Sequence, residues 1–503
     1  MQKMPSILIC GGGTAGWMTA IYLQHFFNRE KPLIKISLLE SATVPPVGVG
    51  EATVHSIRHF LQTLGLNEKE FMRASDATFK LGIRFDGWKK PDMQGRLHSY
   101  WHPFDIQNAS TADMDISSAW LKHQTILATD YAHSVSISPH LAKLHKAPKL
   151  DNSADYEAPI PYAYHFDAGK LAEYLKTVAC QRGVEHIQAD IQKVNIKDGI
   201  ICSVLSTQGE FTADMFFDCT GFASLLSNQI SAENNWHSYQ DVLPCNRAVV
   251  SQTQYQKGEV PYNFTRAIAM KHGWRWKIGL QNRIGNGYVY ADKHITAQQA
   301  EDEFRSALGL DEMHPVRHLK MKIGRKRQFW QGNCVSVGLS SGFIEPLEST
   351  GIYLIEAAVR LWCEHANFEW SNPVLQKRYN QLFAAIYDDL KDFIVLHYAL
   401  TDRDDSAFWR DAQNVLIRCP ELSEKLSLWQ HKVPQSSDFW DVGSQLFNEI
   451  NYRFVLYGMG YFPNTKALFS VVKKEQQSLQ LLQSLLQFCE QKSQQHPQQI
   501  QWF

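Results

Sequence analysis

Apolar and polar positions follow two periods along this 503-residue chain, and their alternation predicts a mixed α/β protein. Near the start, the unbroken apolar run Ile7-Leu8-Ile9-Cys10 predicts a buried strand, and from Trp17 the composition and spacing become helical. A second buried strand is predicted over 34–39 and an amphipathic helix from near Val54. Residues 79–85 alternate apolar with polar or small side chains, so one half-buried strand is expected, with Lys80 and Arg84 on a shared face. A helix over 168–182 precedes strand signals at 184–194, 200–205 and 211–218. Residues 273–280 alternate again and put Trp274, Trp276 and Ile278 on one side. From Cys334 the pattern predicts a short buried strand, a glycine loop and a helix with Ile352, Ile355, Val359 and Trp362 on its apolar face. Beyond about Pro373 it is mostly helical and ends in a Gln-rich tail. Periodicity is weak between about Tyr100 and Pro161, and long irregular insertions of that kind tend to form lids or pocket walls.

Several turns carry candidate chemistry. Gly11-Gly12-Gly13-Thr14-Ala15-Gly16 supplies G-x-G-x-x-G between the first strand and helix. Gly11 permits a sharp turn, Gly13 lets the main chain approach a pyrophosphate, and Gly16 allows close helix–strand packing. The phosphates would sit on the helix N-terminus, where Thr14 and Ala15 lie. Such turns also occur in loops that bind nothing, so the motif needs support. Glu40, ending the second strand, stands where a dinucleotide fold places the carboxylate that accepts from a ribose hydroxyl; a solvent-facing charge is the alternative. The proline and glycine loop with Val49, Gly50 and Glu51 suits a segment lying across a cofactor, or a plain connection. Asp218 and Gly221 follow a buried strand, where a second segment would return to the cofactor. Ser349 and Thr350 can cap the later helix and leave the amides of Thr350 and Gly351 to hold an anion.

Bulk properties narrow the class. With 44% hydrophobic and 20% charged residues and a formal charge of −1, nothing argues for a nucleic-acid partner or an acidic tail. Nine cysteines without C-x-x-C pairs or matching His spacing read as reduced thiols, with no metal site expected. The first strand begins almost at once and no apolar run spans a bilayer, so a soluble, cytoplasmic protein without membrane association is expected. Fourteen Trp residues would suit walls for a planar cofactor or substrate, or a large aromatic core.

The chain resembles the flavin-dependent tryptophan halogenases. The resemblance runs over nearly its whole length, through GGGTAGW at Gly11, VGVGEAT at Val47, TFKLGI at Thr78, FFDCTGF at Phe216, GWRWKI at Gly273, GFIEPLESTGI at Gly342 and LTDRDDSAFWR at Leu400. It implies a Rossmann-type FAD-binding module of the flavin monooxygenase kind with a mainly helical substrate module packed on it. The expected FAD module is 1–372, with a discontinuous core of 1–60, 165–225 and 320–365 and substrate-facing insertions including 78–160 and 226–320; the helical module is 373–503. Reduced FAD, supplied by a separate flavin reductase, would react with oxygen and bound chloride or bromide to give hypohalous acid, which passes through an interior channel to a lysine beside an aromatic substrate. The implied lysine is Lys80, the catalytic glutamate Glu348, and the halide site Thr350 and Gly351. Gly11, Gly13, Thr14, Ala15, Gly16, Glu40, Val49, Gly50, Glu51, Val194, Asp218, Gly221, Leu339 and Ile352 form the expected cofactor set. Trp274 and Trp276 would line a wall between flavin and substrate.

Two departures bear on the substrate. Where the family usually has Pro after the second Trp and Ile, this chain has Gly279, which predicts a looser segment. The tyrosine and glutamate cluster that grips free tryptophan has no convincing equivalent over 438–460, while His102 and Phe104 could sandwich an indole and Tyr452 or Phe454 complete the box. A small electron-rich aromatic such as indole or an indole derivative is therefore expected rather than free tryptophan. Aromatic hydroxylation by reduced FAD and oxygen is the alternative reaction, and a flavin-binding protein without catalysis a third reading. Oligomeric state is left open, a homodimer being one option.

Overall fold

The apolar run Ser6–Cys10 lies inside a six-stranded sheet, flanked by Met215–Asp218 on one side and Lys35–Glu40 on the other, both parallel to it. In the computed structural model, which describes residues 4–43, 50–105, 114–231, 234–440, 446–464 and 475–503, Ile7, Leu8, Ile9 and Cys10 are all buried. Such uniform burial follows from a parallel strand covered on both faces. Cys334–Ser336 and Glu185–Gln188 extend the sheet in parallel, and Trp330–Gln331 closes one edge antiparallel. The helix Thr14–Asn28 packs on Ala168–Gln181 and Gly351–His365. A three-stranded antiparallel sheet, Ile191–Lys197, Ile200–Ser206 and Gly209–Phe211, contributes Ile201 and Val204 to a core with Leu8, Leu39 and Phe216. This is the expected Rossmann-type arrangement, and its unit comprises residues 1–77, 166–239 and 322–388.

Residues 78–165, 240–321 and 389–503 make the second unit. Its seven-stranded sheet runs Arg317–Lys320, Arg247–Thr253, Ile284–Tyr290, Gly273–Gly279, Thr265–Met270, Gly82–Asp86 and Ser99–Pro103. The insertions at 78–160 and 226–320 were expected within the FAD module; apart from residues 226–239, they fall here instead, with the C-terminal helices. A shared sheet explains this, because Gly82–Asp86 pairs with Thr265–Met270 and binds two distant segments into one core. The described regular elements beyond 373 are helical, as the sequence pattern suggested.

Two local expectations fail. Residues 79–85 are not one strand. Thr78, Phe79 and Lys80 pair with His165, Tyr164 and Ala163, whereas Gly82–Asp86 belongs to the large sheet. The break lies at Leu81, whose N–H donates to the Asn263 carbonyl and whose carbonyl accepts from Phe104 N–H, so Lys80 and Arg84 share no sheet face. Between Tyr100 and Pro161 the chain also folds more regularly than its periodicity indicates, with helices Ile116–Leu127, Tyr131–Val135 and Ser138–Lys143. Asp115 and Asp130 cap the first two through the backbone N–H of Ser118 and His133. The second and third are too short for an amphipathic period to emerge.

The Trp274, Trp276 and Ile278 side of its strand is buried as expected, with the two indoles 6.2 Å apart. A Cβ on Gly287 of the neighbouring strand would lie 2.1–2.5 Å from the Trp276 ring, so that indole occupies the space of an absent side chain. Gly279 is likewise tight rather than loose: a Cβ there would meet the Tyr255 hydroxyl and Tyr262 N, each at 2.8 Å. Gly287→Ala is expected to cost about 2–3 kcal/mol by forcing Trp276 aside; an unchanged calorimetric melting temperature would contradict that packing.

Candidate functional site

The glycine turn satisfies each steric demand of its motif. Gly11 has φ +111°, and a Cβ on it would stand 2.3 Å from the Cys219 carbonyl oxygen; one on Gly16 would stand 1.8 Å from that of Gly11. Gly13 precedes the first helical residue, and the space where its Cβ would point is open. No side chain caps this helix, so its first N–H groups lack an intramolecular side-chain acceptor at the place where a phosphate would bind. Thr14 donates its hydroxyl to the Ala168 carbonyl at 3.2 Å, and Ala15 abuts Gly338, whose absent Cβ would be 2.8 Å from that of Ala15. These features fit a dinucleotide cofactor.

Glu40 lies over Gly12, where a Cβ would come within 2.5 Å of its carboxyl group. Its Oε2 accepts from His186 Nε2 at 2.8 Å and Lys176 Nζ at 3.2 Å. The carboxylate is thus oriented at the turn rather than extended into solvent. Gly50 and Glu51 form the short strand Gly50–Ala52, and burial pushes the Glu51 carboxyl up to about 7. Val49 lies outside the described residues. Gly221 turns with φ +68°, Leu339 is half-buried in the turn Gly338–Ser340, and Ile352 is buried in the first turn of Gly351–His365.

Two expected cofactor residues use their side chains elsewhere. Asp218 is fully buried, and its oxygens accept from Thr220 N and Oγ1, Ser340 Oγ, Leu226 N, and Ser227 N and Oγ at 2.6–3.2 Å. Six donors saturate the carboxylate, so it organises the returning loop instead of presenting oxygen to a ligand. The Val194 side chain packs into the core with Ile201, Val204 and Phe216.

Glu348 ends the turn Pro346–Glu348 and is 1% exposed. Ser349 follows with φ +60°, and Thr350 occupies the N-cap position of Gly351–His365. Thr350 makes no side-chain cap bond, contrary to expectation, because its backbone (φ −88°, ψ −5°) is already helical rather than extended. Gly351 is exposed, with nothing within 4 Å of where its Cβ would point.

In the second unit Lys80 is fully buried, and its ammonium lies 4.9 Å from the Phe104 ring centroid. Gly82 brings the two segments together: a Cβ there would be 2.5 Å from the His102 carbonyl oxygen. His165, opposite Thr78, contacts the hydroxyls of Thr265 at 2.9 Å and Thr78 at 3.3 Å. Burial, reinforced by the Lys80 charge, holds its imidazole well below the usual histidine range.

His102 is fully buried beside Phe104 in sequence. Its Nε2 lies 2.9 Å from Asn451 Nδ2, and its ring centroid lies 5.3 Å from Phe393 and 5.7 Å from Phe447. Tyr452 and Phe454 do not complete this group. Tyr452 packs against Phe393, Trp429 and Phe439, and Phe454 against Tyr131. They follow Asn451 by one and three positions on Glu449–Gly458, and helical rotation carries Tyr452 to a different side. Asn451 and Phe447 are the neighbours sequence reasoning missed, although both lie in the stretch 438–460 that it singled out. Among the described residues no group of three or more His, Cys, Asp or Glu could hold a metal ion, and no helix is long and apolar enough to cross a membrane.

Comparison with known proteins gives this arrangement a context. A family model described as tryptophan halogenase matches residues 6–474. The chain is 36% identical over 483 residues to tryptophan 6-halogenase SttH of Streptomyces toxytricini, covering 90% of this chain and 89% of that protein. It is 34% identical to tryptophan 7-halogenase RebH of Lentzea aerocolonigenes, covering 97% and 99%. The solved structure of Tar14, a tryptophan C-6 flavin-dependent halogenase (chlorinase) from taromycin biosynthesis, superposes with a TM-score of 0.89 at 35% identity, covering 99% of each chain.

The raised pKa of Glu51 fixes the sign of a pH effect. Its folded value of about 7 exceeds the ordinary 4.5, so folding favours the protonated acid and stability falls as pH rises between those values. Glu51→Gln should therefore leave stability nearly unchanged near pH 4.5 and raise it by roughly 1–2 kcal/mol at pH 8, allowing for partial solvent access. Denaturant titrations at both pH values check this, and a difference independent of pH would contradict the buried acid.

Proposed function

Because this chain belongs to the tryptophan halogenase family and is a flavin-dependent halogenase, an oxidoreductase, we propose that it places a halogen on an electron-rich aromatic ring through Lys80 and Glu348. The observation that carries the reading is the complete burial of a lysine ammonium against Phe104. An unpaired surface lysine needs no such enclosure, and burying a charge is costly unless its surroundings compensate. The named relatives are halogenases, which favours this reaction over hydroxylation or a non-catalytic flavin protein.

Reduced FAD, delivered by a separate reductase, supplies hypohalous acid when oxygen and chloride or bromide are present. The turn at Gly11, Gly13 and Gly16 holds the pyrophosphate, and Glu40 the ribose. The amides of Thr350 and Gly351 hold the halide at the start of their helix. Lys80 donates a hydrogen bond to the oxygen of the hypohalous acid and aims its halogen at the ring. As the carbon–halogen bond forms and the halogen–oxygen bond breaks, the Lys80 proton passes to the departing hydroxide and gives water. Glu348 stabilises the ring cation and takes its proton. His102 and Phe104, joined by Phe447 and Asn451, form the aromatic substrate site. Indole or an indole derivative is the substrate class, since these residues offer ring contacts and one amide but no ionic pair for an amino-acid backbone.

The test supplies enzyme with reduced FAD from a flavin reductase, oxygen, bromide and a panel of indoles, and follows products by mass spectrometry. A bromine isotope pattern that falls at least about 100-fold in Lys80→Ala, with FAD still bound, is expected. Undiminished bromination by that variant, or addition of one oxygen in place of halogen, would contradict the assignment.

A further inference from the structure

The strand Thr78–Lys80 is three residues long and lies at the edge of its sheet among the described strands. Its ladder fixes one side, and the other must be held by side chains. Register sets Thr78 opposite His165 and Lys80 opposite Ala163, and alternation sends these four side chains to one face. All four are fully buried. Ala163 is too small to support a long neighbour, so His165, on the diagonal, is the larger group beside Lys80 on that face.

A hydrogen-bonded relay crosses this face, and its direction follows from counting protons. The Thr78 hydroxyl donates its one proton to the Gly279 carbonyl at 2.6 Å. Its oxygen, 3.3 Å from His165 Nδ1, can therefore only accept there, which puts a proton on Nδ1. Burial, with the Lys80 charge adding to it, keeps the imidazole uncharged, so Nε2 accepts from the Thr265 hydroxyl at 2.9 Å. The relay thus ties the short strand to two strands of the large sheet, Thr265–Met270 and Gly273–Gly279. Gly279 is itself confined, with the Tyr255 hydroxyl and Tyr262 N each 2.8 Å from where its Cβ would stand.

We infer that His165 is a positioning residue for the halogen transfer: through Thr78 and Thr265 it locks the strand that ends at Lys80, and so fixes where the ammonium points. This rests on delivery of the halogen through Lys80. An apolar side chain at 165 leaves the Thr78 oxygen and the Thr265 hydroxyl without their bridge and frees the strand to shift. A misplacement of about 1 Å costs on the order of 100-fold in rate.

The test reads coupling, the brominated indole formed per reduced FAD oxidised. His165→Leu should lower it at least about tenfold with FAD binding and the KM for indole unchanged, because flavin oxidation continues while the halogen is poorly aimed. His165→Gln, which retains a donor and an acceptor, should restore most of it. A histidine that only supports the fold would change the melting temperature and leave coupling alone, so wild-type coupling in folded His165→Leu would overturn the inference. Should that variant not fold, Thr265→Val decides: coupling lowered roughly threefold supports the relay, and wild-type coupling overturns it. The ring is also read without turnover, from nitrogen NMR shifts of isotopically labelled histidine, the His165 signal being the one lost in His165→Gln. A neutral ring protonated on Nδ1 is expected; protonation on Nε2, or a cation, would overturn the relay. Lys80→Ala separates the two readings. Bromination lost there while His165→Leu stays fully coupled fails this inference alone, whereas bromination surviving there fails delivery through Lys80 and the role drawn from it.

Discussion

The burial of one ammonium group constrains the rest. Lys80 has no exposure to water, and a charge so placed is tolerated only where the surroundings hold it firmly. The chain meets that demand through backbone geometry. A three-residue strand ends at Lys80, Leu81 turns the chain by exchanging bonds with Asn263 and Phe104, and Gly82 passes close to the His102 carbonyl. These contacts bring the Phe104 ring beside the ammonium. They also place His165 where its imidazole stays neutral, so a second cation is not added to the first.

A similar economy of space governs the dinucleotide unit. The first helix can start where it does because Gly16 and Gly11 present no side chains to each other, and Gly338 presents none to Ala15. Asp218, at the end of the neighbouring strand, gathers six donors and thereby fixes the loop that crosses the same edge of the sheet. The aspartate side chain is therefore used within the loop, while Glu40 stands beside the glycine turn itself.

How much of this was legible in the sequence depended on the range of the interaction. The first strand, the glycine turn and Glu40 follow one another closely, and each is set by local sterics, so their arrangement could be read directly. The break between Lys80 and Arg84 could not, because alternation continues through Leu81 and the contacts that interrupt it come from Asn263 and Phe104. The resemblance marked the stretch 438–460 but could not say which of its side chains would face His102; helix rotation selected Asn451 and turned Tyr452 into another cluster. Gly279 misled for the opposite reason: a residue associated with slack is here required by Tyr255 and Tyr262. The first two helices after Met114 had readable caps at Asp115 and Asp130, but Tyr131–Val135 and Ser138–Lys143 have too little length for a period to show.

Enclosure is what the account turns on, and a bulk scavenger measures it. Bromination of an indole by the fully supplied enzyme should proceed with unchanged yield in a large excess of methionine, which consumes hypobromous acid free in solution but does not reach a lysine with no exposed surface. Product yield that falls in proportion to added methionine would show the oxidant acting in open water, and delivery at Lys80 would have to be given up.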